Sequence, residues 1–397
     1  MRFTKLRDFL GSFSLQNIFH YSSMACYYTF IVAFMTKREY SSTQIGVILT
    51  VNSIIAIIAQ PLWGYLCDKL HSVRKVYICL ALILSVTVPF LTVIHRYEIH
   101  LIYIPLCIIL FYCSFNTLLD AWIVQGVKSL PGKTYGSIRL WGSVGYMVVV
   151  SAMGFISDIL GVESVFFFFS LFMLVNAVIA FSIRDEGVPQ ARAEEHSKNK
   201  PSIKLLLRNY QYMTFIVCMF VLHLPLTLKN GFFAPRIYLA GGTNVIFALC
   251  QAISALVEIP VFMLTSKLLT KYRPQNLLIF SMSLYLLHFI LISLPIPPWL
   301  FMVVHTLNGL GFSIFIVSSI SYVDALSPVE FKTSALTLAT GIYGGASGIV
   351  GNILSGIVID SIGIINSFWY GCILVALSIL LFLVLLAIGK NKEEEIV

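Results

Sequence analysis

Long apolar runs separated by short polar breaks follow one another along the chain. Runs such as VFFFFSLFMLVNAVIAF (165–181) and FWYGCILVALSILLFLVLLAI (368–388) carry no charge and show no alternation of polar and apolar positions. A helix needs about 20 apolar residues to cross a bilayer, whereas the strands of a membrane barrel alternate over about ten. The pattern therefore predicts an all-α integral membrane protein. Twelve spans are expected, at residues 13–35, 44–66, 76–94, 101–124, 138–157, 163–183, 211–233, 243–266, 276–294, 299–323, 334–358 and 366–388.

The composition supports this interpretation and excludes several others. Hydrophobic residues make up 58% of the chain and charged residues 11%, against about 25% charged residues in soluble domains. A water-soluble body, a disordered chain and a secreted disulfide scaffold are all excluded by these values. The eight cysteines form no CxxC pair, so we expect neither disulfides nor a metal site. No basic stripe with interleaved aromatic residues points to nucleic acid.

Basic residues indicate the orientation in the membrane. Of the Lys and Arg residues in predicted loops, only Lys37, Arg38, Arg96 and Arg236 fall on one side, and all the others fall on the opposite side. The positive-inside rule then places both termini in the cytoplasm of a multi-pass cell-membrane protein.

One long polar segment divides the spans six and six. It predicts a first bundle at 1–183, a cytoplasmic linker at 184–209 and a second bundle at 210–397. Sliding the sequence by 199 residues also brings three pairs into register. We therefore expect two pseudo-symmetric six-helix bundles. The matched pairs are Pro61 with Pro260, Gly142 with Gly341, and Gly145 with Gly344.

The loop after the second predicted span carries a recognisable motif. Residues 64–75 read GYLCDKLHSVRK. They resemble the cytoplasmic motif of the major facilitator superfamily, Gly-x-Leu-x-Asp-Arg/Lys-x-Gly-Arg-Arg/Lys. This copy has His71 where the family has Gly, and one extra residue before the basic pair. The resemblance implies the major facilitator fold and a cytoplasmic gating role for the motif residues. These are Gly64, Asp68, Lys69, Arg74 and Lys75.

Two stretches of sequence narrow the resemblance to a proton-coupled branch of the superfamily. QPLWGYLCDKL (60–70) and YGSIRLWGSVGY (135–146) are similar to stretches of the lactose permease, phenylpropionate permease and nucleoside-symporter-like families. Those families alternate between inward-open and outward-open states. The resemblance implies that span five presents Arg139 and Tyr146 to substrate.

The residues themselves agree with that arrangement and leave alternatives open. Arg139 and Tyr146 are seven residues apart, so they share one face of a helix. Asp120 and Asn116 lie one turn apart on span four, and the resemblance pairs Asp120 with Arg139. An arginine fork suits a carboxylate or a pair of substrate hydroxyls. The alternatives are a purely structural ion pair and, for Tyr146, a packing ring.

Three further ionisable residues within predicted spans of the second half are candidate functional residues, because a charge there costs at least a few kcal/mol. The resemblance implies that Glu258 contacts substrate and takes part in proton coupling. Lys229 could pair with Glu258 or Asp120, bind an anionic substrate, or reach the interface by snorkelling. His305 could carry a proton or simply be hydrogen-bonded. Glu258, His305 and Asp120 are thus the proton-coupling candidates, whereas we expect the remaining span histidines to be structural. Those histidines are His20, His223 and His288.

Together these features predict a monomeric secondary active transporter. We expect a proton symporter that imports a small polar solute such as a sugar, an oligosaccharide or a nucleoside, with the proton gradient as energy source and no cofactor. The alternative is a proton-antiport exporter of drugs or metabolites, but span five lacks the proline of the usual exporter signature. The chain also lacks HExxH, GxSxG and P-loop motifs, so an enzyme is not expected.

Overall fold

The computed structural model describes residues 2–70, 72–128, 135–183, 208–327 and 332–394. Within these residues twelve helices are long and apolar enough to cross a membrane, and there are no strands. The prediction of an all-α chain with twelve spans is confirmed. The helices are α1 (Arg2–Lys37), α2 (Ser42–Leu70), α3 (Val73–Phe90), α4 (Tyr97–Tyr103, Ile104–Ile109, Leu110–Tyr112 and Phe115–Lys128), α5 (Tyr135–Leu160), α6 (Ser164–Ser182), α7 (Tyr210–Leu239), α8 (Asn244–Lys271), α9 (Pro274–Ser293), α10 (Leu300–Val304 and Thr306–Leu326), α11 (Lys332–Thr340, Gly341–Ala346 and Ser347–Ile362) and α12 (Ile364–Glu394).

Two helices contain a π-helical segment, at Ile104–Ile109 in α4 and at Gly341–Ala346 in α11. The first contains Pro105, which has no N–H to donate to the helix. Just beyond it, the indole N–H of Trp63 on α2 donates to the Leu110 carbonyl at 2.6 Å. A side chain from a neighbouring helix thus satisfies a backbone acceptor where the regular helical pattern is disturbed.

The contacts divide the chain into two units. Unit 1 comprises Met1–Tyr40 and Val51–His196, and unit 2 comprises Ser41–Thr50 and Ser197–Val397. The predicted linker at 184–209 lies outside the described residues except for its last two. The assignment of Ser41–Thr50 to unit 2 has a local cause, because the Asp360 carboxylate on α11 accepts the backbone N–H groups of Ser42 and Thr43 at 3.0 and 2.7 Å. Asp360 therefore satisfies two of the unpaired amides at the start of α2.

The same helix pairings occur in both units. In unit 1, α1 packs on α5 and α6, and α3 packs on α6. In unit 2, α7 packs on α11 and α12, and α9 packs on α12. Each pairing in unit 2 is displaced by six helices from its counterpart in unit 1. The internal repeat indicated by the sequence thus corresponds to a repeated packing pattern.

Glycine allows close helix contacts at two positions near the polar clusters. A Cβ on Gly145 of α5 would lie 2.6 Å from the Ile18 carbonyl oxygen of α1, and one on Gly309 of α10 would lie 2.5 Å from the Ser254 carbonyl oxygen of α8. Any larger residue would force these helices apart. Gly64 of the cytoplasmic motif makes no such contact, since a Cβ there would meet nothing within 4 Å. Gly64 therefore lies beside open space in this structure.

The structure describes the side chains of only some residues of the cytoplasmic motif at 64–75. The Arg74 guanidinium donates to the carbonyls of Ala180 and Phe181, at 2.9 and 2.6 Å, at the end of α6. Lys69 and Lys75 have exposed side chains. The side chain of Asp68 lies outside the described residues. In this structure Arg74 binds the carbonyl end of a helix in its own unit, where a cation is favoured.

In unit 2, Arg236 likewise donates hydrogen bonds to the carbonyls at the end of a helix. It lies near the end of α7 with 2% of its surface exposed. Its Nε donates to the Ile292 carbonyl at 2.9 Å and its Nη2 to the Leu294 carbonyl at 2.7 Å. The loop arginine of the sequence interpretation is thus an internal cap for the end of α9.

We expect Arg236→Met to lower the free energy of unfolding by about 2–4 kcal/mol. The methionine keeps much of the apolar stem but leaves two carbonyl groups without their donors. Denaturant titration of the purified protein in detergent measures the effect. Arg96→Met is the control, because the Arg96 side chain is 75% exposed and its loss should change stability by no more than about 0.5 kcal/mol. Equal stability of the two variants would contradict the capping role.

Candidate functional site

A cation and an aromatic ring form the centre of the polar cluster in unit 1. The Arg139 guanidinium carbon lies 3.7 Å from the centroid of the Tyr21 ring, a distance typical of a strong cation–π contact. Gly142, one turn further along α5, leaves room for this ring because a Cβ there would collide with it. The sequence Arg139-x-x-Gly142 therefore holds the guanidinium against α1.

Asn116 on α4 joins the neighbouring side chains. Its Oδ1 accepts the Tyr21 hydroxyl at 2.5 Å and lies 3.2 Å from His20 Nε2. Its Nδ2 donates to Asp120 Oδ2 at a long 3.5 Å. The amide thus connects two residues of α1 to the carboxylate predicted from the sequence, and Asn116 and Asp120 lie together as expected.

Arg139 and Asp120 belong to the same cluster through Tyr21 and Asn116. The Tyr21 ring lies against the Arg139 guanidinium, and its hydroxyl donates to the Asn116 amide, which in turn donates to Asp120. The direct pairing of Asp120 with Arg139 that the resemblance implies stays a prediction.

Tyr146 faces α1, as its spacing from Arg139 predicts. Its hydroxyl lies 3.1 Å from Thr29 Oγ1, and its side chain is partly exposed. Arg139 and Tyr146 thus contact α1 at Tyr21 and Thr29, on the same face of α5. A partly exposed ring anchored at its hydroxyl can present an aromatic face to a ligand.

A chain of hydrogen bonds in unit 2 starts at Lys229. The side chain is buried, with 7% of its surface exposed, and its ammonium donates to Asn308 Oδ1 on α10. Asn308 Nδ2 donates to Ser254 Oγ on α8 at 3.0 Å, and Ser254 Oγ lies 3.5 Å from Glu258 Oε1. Lys229 is therefore linked to Glu258 through two neutral side chains. The snorkelling alternative is wrong, because the ammonium points to a neighbouring helix.

A second chain in unit 2 contains His305. Its Nε2 lies 2.9 Å from Gln251 Oε1 on α8, and its Nδ1 lies 3.2 Å from His288 Nε2 on α9. Phe233 of α7 stacks on its ring, with centroids 4.3 Å apart and an angle of 15°. His305 is thus hydrogen-bonded at both nitrogens inside the bundle.

Several side chains of these clusters were not among the sequence candidates. Gln251, Ser254 and Glu258 recur at intervals of three and four residues on α8, and Asn308 follows His305 by three on α10. Such spacing puts them on shared helix faces, so it offered a usable signal. For the others, uncharged or judged structural, no local signal distinguished a site from a packed core. The missed residues are His20, Tyr21, Gln251, Ser254, His288 and Asn308.

The clusters hold no arrangement suited to a metal ion. Within the described residues, no three His, Cys, Asp or Glu side chains converge in a way that could coordinate one. What the clusters offer is a set of hydrogen-bond donors and acceptors, aromatic faces and charged groups. Such groups suit recognition of a polar organic molecule.

Two known permeases are similar to this chain over most of its length. The maltose permease of Geobacillus stearothermophilus is 24% identical over 353 residues, which cover 87% of either chain. The sucrose permease of Escherichia coli is 22% identical over 379 residues, covering 90% of this chain and 88% of the permease.

Solved structures support the same fold. The crystal structure of the nucleoside transporter NupG superposes with a TM-score of 0.81 at 17% identity, covering 96% of this chain and 99% of that one. The peptide transporter POT in complex with sulfate superposes with a TM-score of 0.74 at 13% identity, covering 96% and 94%.

The family assignment rests on the sequence. Residues 11–370 match the model of the MFS_1 like family, in agreement with the major facilitator motif at residues 64–75. With twelve spans of the required length, this multi-pass membrane protein belongs to the MFS_1 like family of transporters.

Proposed function

We propose that this protein is a proton symporter that imports a small polar solute, such as a sugar, an oligosaccharide or a nucleoside, across the cell membrane. The observation that carries the proposal is the chemistry of the two clusters. Each combines a cation with an amide and a carboxylate, at Arg139, Asn116 and Asp120 in unit 1 and at Lys229, Asn308 and Glu258 in unit 2. Hydroxyl-rich solutes need many donors and acceptors at once, and such clusters supply them.

The names of the relatives favour the same class of solute. Maltose and sucrose, which name two relatives, are hydroxylated sugars, and so is the ribose of a nucleoside. Sugar hydroxyls can take up the donors of either cluster, from Arg139 in unit 1 or from Lys229 in unit 2, while a sugar or base ring can lie against an aromatic face. A proton-antiport exporter is the second candidate, but no feature of either cluster favours it. In this proposal the protein works as a monomer with both termini in the cytoplasm and needs no cofactor.

Uptake into proteoliposomes tests the proposal directly. Radiolabelled maltose, sucrose and uridine are offered with an imposed pH gradient, alkaline inside. We expect at least one of them to accumulate above its outside concentration, and a protonophore to abolish the accumulation. Accumulation that requires the opposite gradient would indicate antiport, and no gradient-dependent uptake of any of the three would contradict the proposal.

Tyr146 provides a test of substrate contact. If its ring faces the solute, Tyr146→Ala should weaken binding by about 1–2 kcal/mol, roughly 5–30-fold. Tyr146→Phe keeps the ring and should bind nearly as well as the wild type. Thr29→Val is the matched control, because it removes the contact between Thr29 and the Tyr146 hydroxyl and leaves the ring in place. Isothermal titration with the transported solute measures all three, and unchanged binding by Tyr146→Ala would mean that the ring only packs.

Glu258 provides a test of coupling. Glu258→Gln keeps the shape and the hydrogen-bonding capacity of the side chain but cannot take up a proton. We therefore expect gradient-driven accumulation to disappear while solute exchange across the membrane without a gradient remains measurable. Asp120→Asn and Arg139→Ala should lose solute binding or fold yield instead, because they disturb the Tyr21–Asn116 cluster.

The control for Glu258 is Asp324→Asn. Asp324 lies near the end of α10, paired with Lys332 at 2.7 Å and about half exposed, so its neutralisation should leave coupling intact. A Glu258→Gln protein that still concentrates solute would show that another residue carries the proton.

A further inference from the structure

Two histidines from different helices are in contact inside unit 2. His288 of α9 and His305 of α10 have 0% and 1% of their surfaces exposed. His288 Nε2 lies 3.2 Å from His305 Nδ1, and the ring centroids are 5.2 Å apart. Sequence reasoning treated His288 as structural and considered His305 alone.

Gln251 determines which nitrogens carry hydrogen. Its Oε1 can only accept, so His305 Nε2 at 2.9 Å must be the donor. In the neutral ring, His305 Nδ1 is then an acceptor, and His288 must donate to it from Nε2. That leaves His288 Nδ1 with a lone pair. Within the part of the chain that the structure describes, this buried nitrogen has no hydrogen-bond partner.

The surroundings of the pair are mainly aromatic. Phe233 stacks on His305, and Phe289 stands edge-on to His288 with centroids 6.3 Å apart. Burial away from water disfavours a charged ring, so the arrangement in this structure is the neutral one. The flat face of Phe233 would favour a positive charge on the imidazole stacked against it.

The charged groups nearest the pair come from α7 and α8. Lys229 of α7 acts electrostatically on both rings and is bonded to Asn308, three residues after His305. Glu258 of α8 lies at the far end of the Asn308–Ser254 chain. On α9 the titratable neighbour along the helix is Tyr285, which interacts with Glu258. A positive charge on the pair is thus repelled by Lys229.

We propose that His288 and His305 form a single proton-binding site, and that the proton enters at His288 Nδ1. The new N–H bond forms there, and the resulting positive charge is shared between the rings through the His288 Nε2–H···Nδ1 His305 bond. Release breaks the same N–H bond and restores the neutral pair. Gln251 is a positioning residue, because it fixes the tautomers so that the open acceptor is on His288. This inference rests on the proposed proton symport and names a residue pair that stores the proton.

The histidine pair interacts electrostatically with the hydrogen-bond chain that starts at Lys229. Gly309 lets α10 approach the backbone of Ser254, which places the His305–Gln251 and Asn308–Ser254 hydrogen bonds one helical turn apart. Protonation of the pair and the position of the Lys229 ammonium therefore influence each other through repulsion. A solute that draws the ammonium away from Asn308 would favour proton binding, and this is the linkage that symport requires.

The first test is His288→Gln. The glutamine amide can still donate to His305 Nδ1 but cannot be protonated near neutral pH. In proteoliposomes we expect solute exchange without a gradient within about threefold of the wild type, and gradient-driven accumulation reduced at least tenfold. His223→Gln is the matched control, because His223 is a span histidine of the same unit whose Nδ1 lies 2.8 Å from the Met219 carbonyl of its own helix. Full accumulation by His288→Gln would overturn the proposal.

The second test is Gln251→Glu. Its readout is a pH midpoint that would not move if Gln251 had a purely structural role. A carboxylate at this position favours the protonated pair, so the proton should bind at higher pH. The midpoint of the pH dependence of accumulation should move up by at least about one unit. An unchanged or lowered midpoint would overturn the proposal.

A measurement on the wild-type protein is independent of transport and of variant folding. Nitrogen-15 NMR of protein labelled at histidine distinguishes neutral from charged rings. We expect two buried rings to change together between pH 8 and 5, taking up one proton between them. Two rings that stay neutral over this range, or that titrate separately with two protons, would overturn the proposal. If no solute is accumulated but the shared titration is observed, the proposed function fails and the proton site stands.

Discussion

Hydrocarbon cannot solvate a polar side chain, so a polar group inside a bundle of spanning helices is stabilised by a partner on another helix or on its own. This constraint accounts for the ends of helices as well as for the clusters. Arg74 and Arg236 each donate two hydrogen bonds to the terminal carbonyls of a neighbouring helix. In water those carbonyls would be hydrated, but here a guanidinium takes the place of the solvent, and that of Arg236 is buried.

The two polar clusters follow a common plan, which fits a duplicated six-helix unit. Asn116 lies on α4 and Asn308 on α10, six helices later. Asn116 Oδ1 accepts from Tyr21 of α1, and Asn308 Oδ1 accepts from Lys229 of α7. Each amide nitrogen then donates toward a carboxylate, directly to Asp120 in unit 1 and through Ser254 to Glu258 in unit 2. An uncharged amide suits this central position, because it can accept from one helix and donate to another without adding a charge.

Much of the architecture could be predicted from the sequence because apolar run length and helical periodicity are local properties. They define twelve spans and place Arg139 with Tyr146 on one face of α5. Distances between helices are not local. The sequence could not show that the Tyr21 ring would lie against Arg139, or that His288 would meet His305, because these contacts depend on how helices rotate and how closely they pack. For the same reason the sequence could not show that Gly145 and Gly309 lie against a neighbouring helix whereas Gly64 does not.

The π-helical segment of α11 also bears on the repeat of the two halves. A π turn contains about one residue more than an α turn, so residues after it are rotated by about 100° relative to an uninterrupted α-helix. Gly344, which the repeat matches to Gly145, lies inside this segment and a Cβ there would meet nothing within 4 Å. Gly351, beyond it, lies against Thr227 of α7. Deleting one residue from Gly341–Ala346 would turn Gly351 away from α7 even though every remaining side chain in α11 stayed the same. At this point of the chain the helix contact depends on the number of residues as much as on their identity.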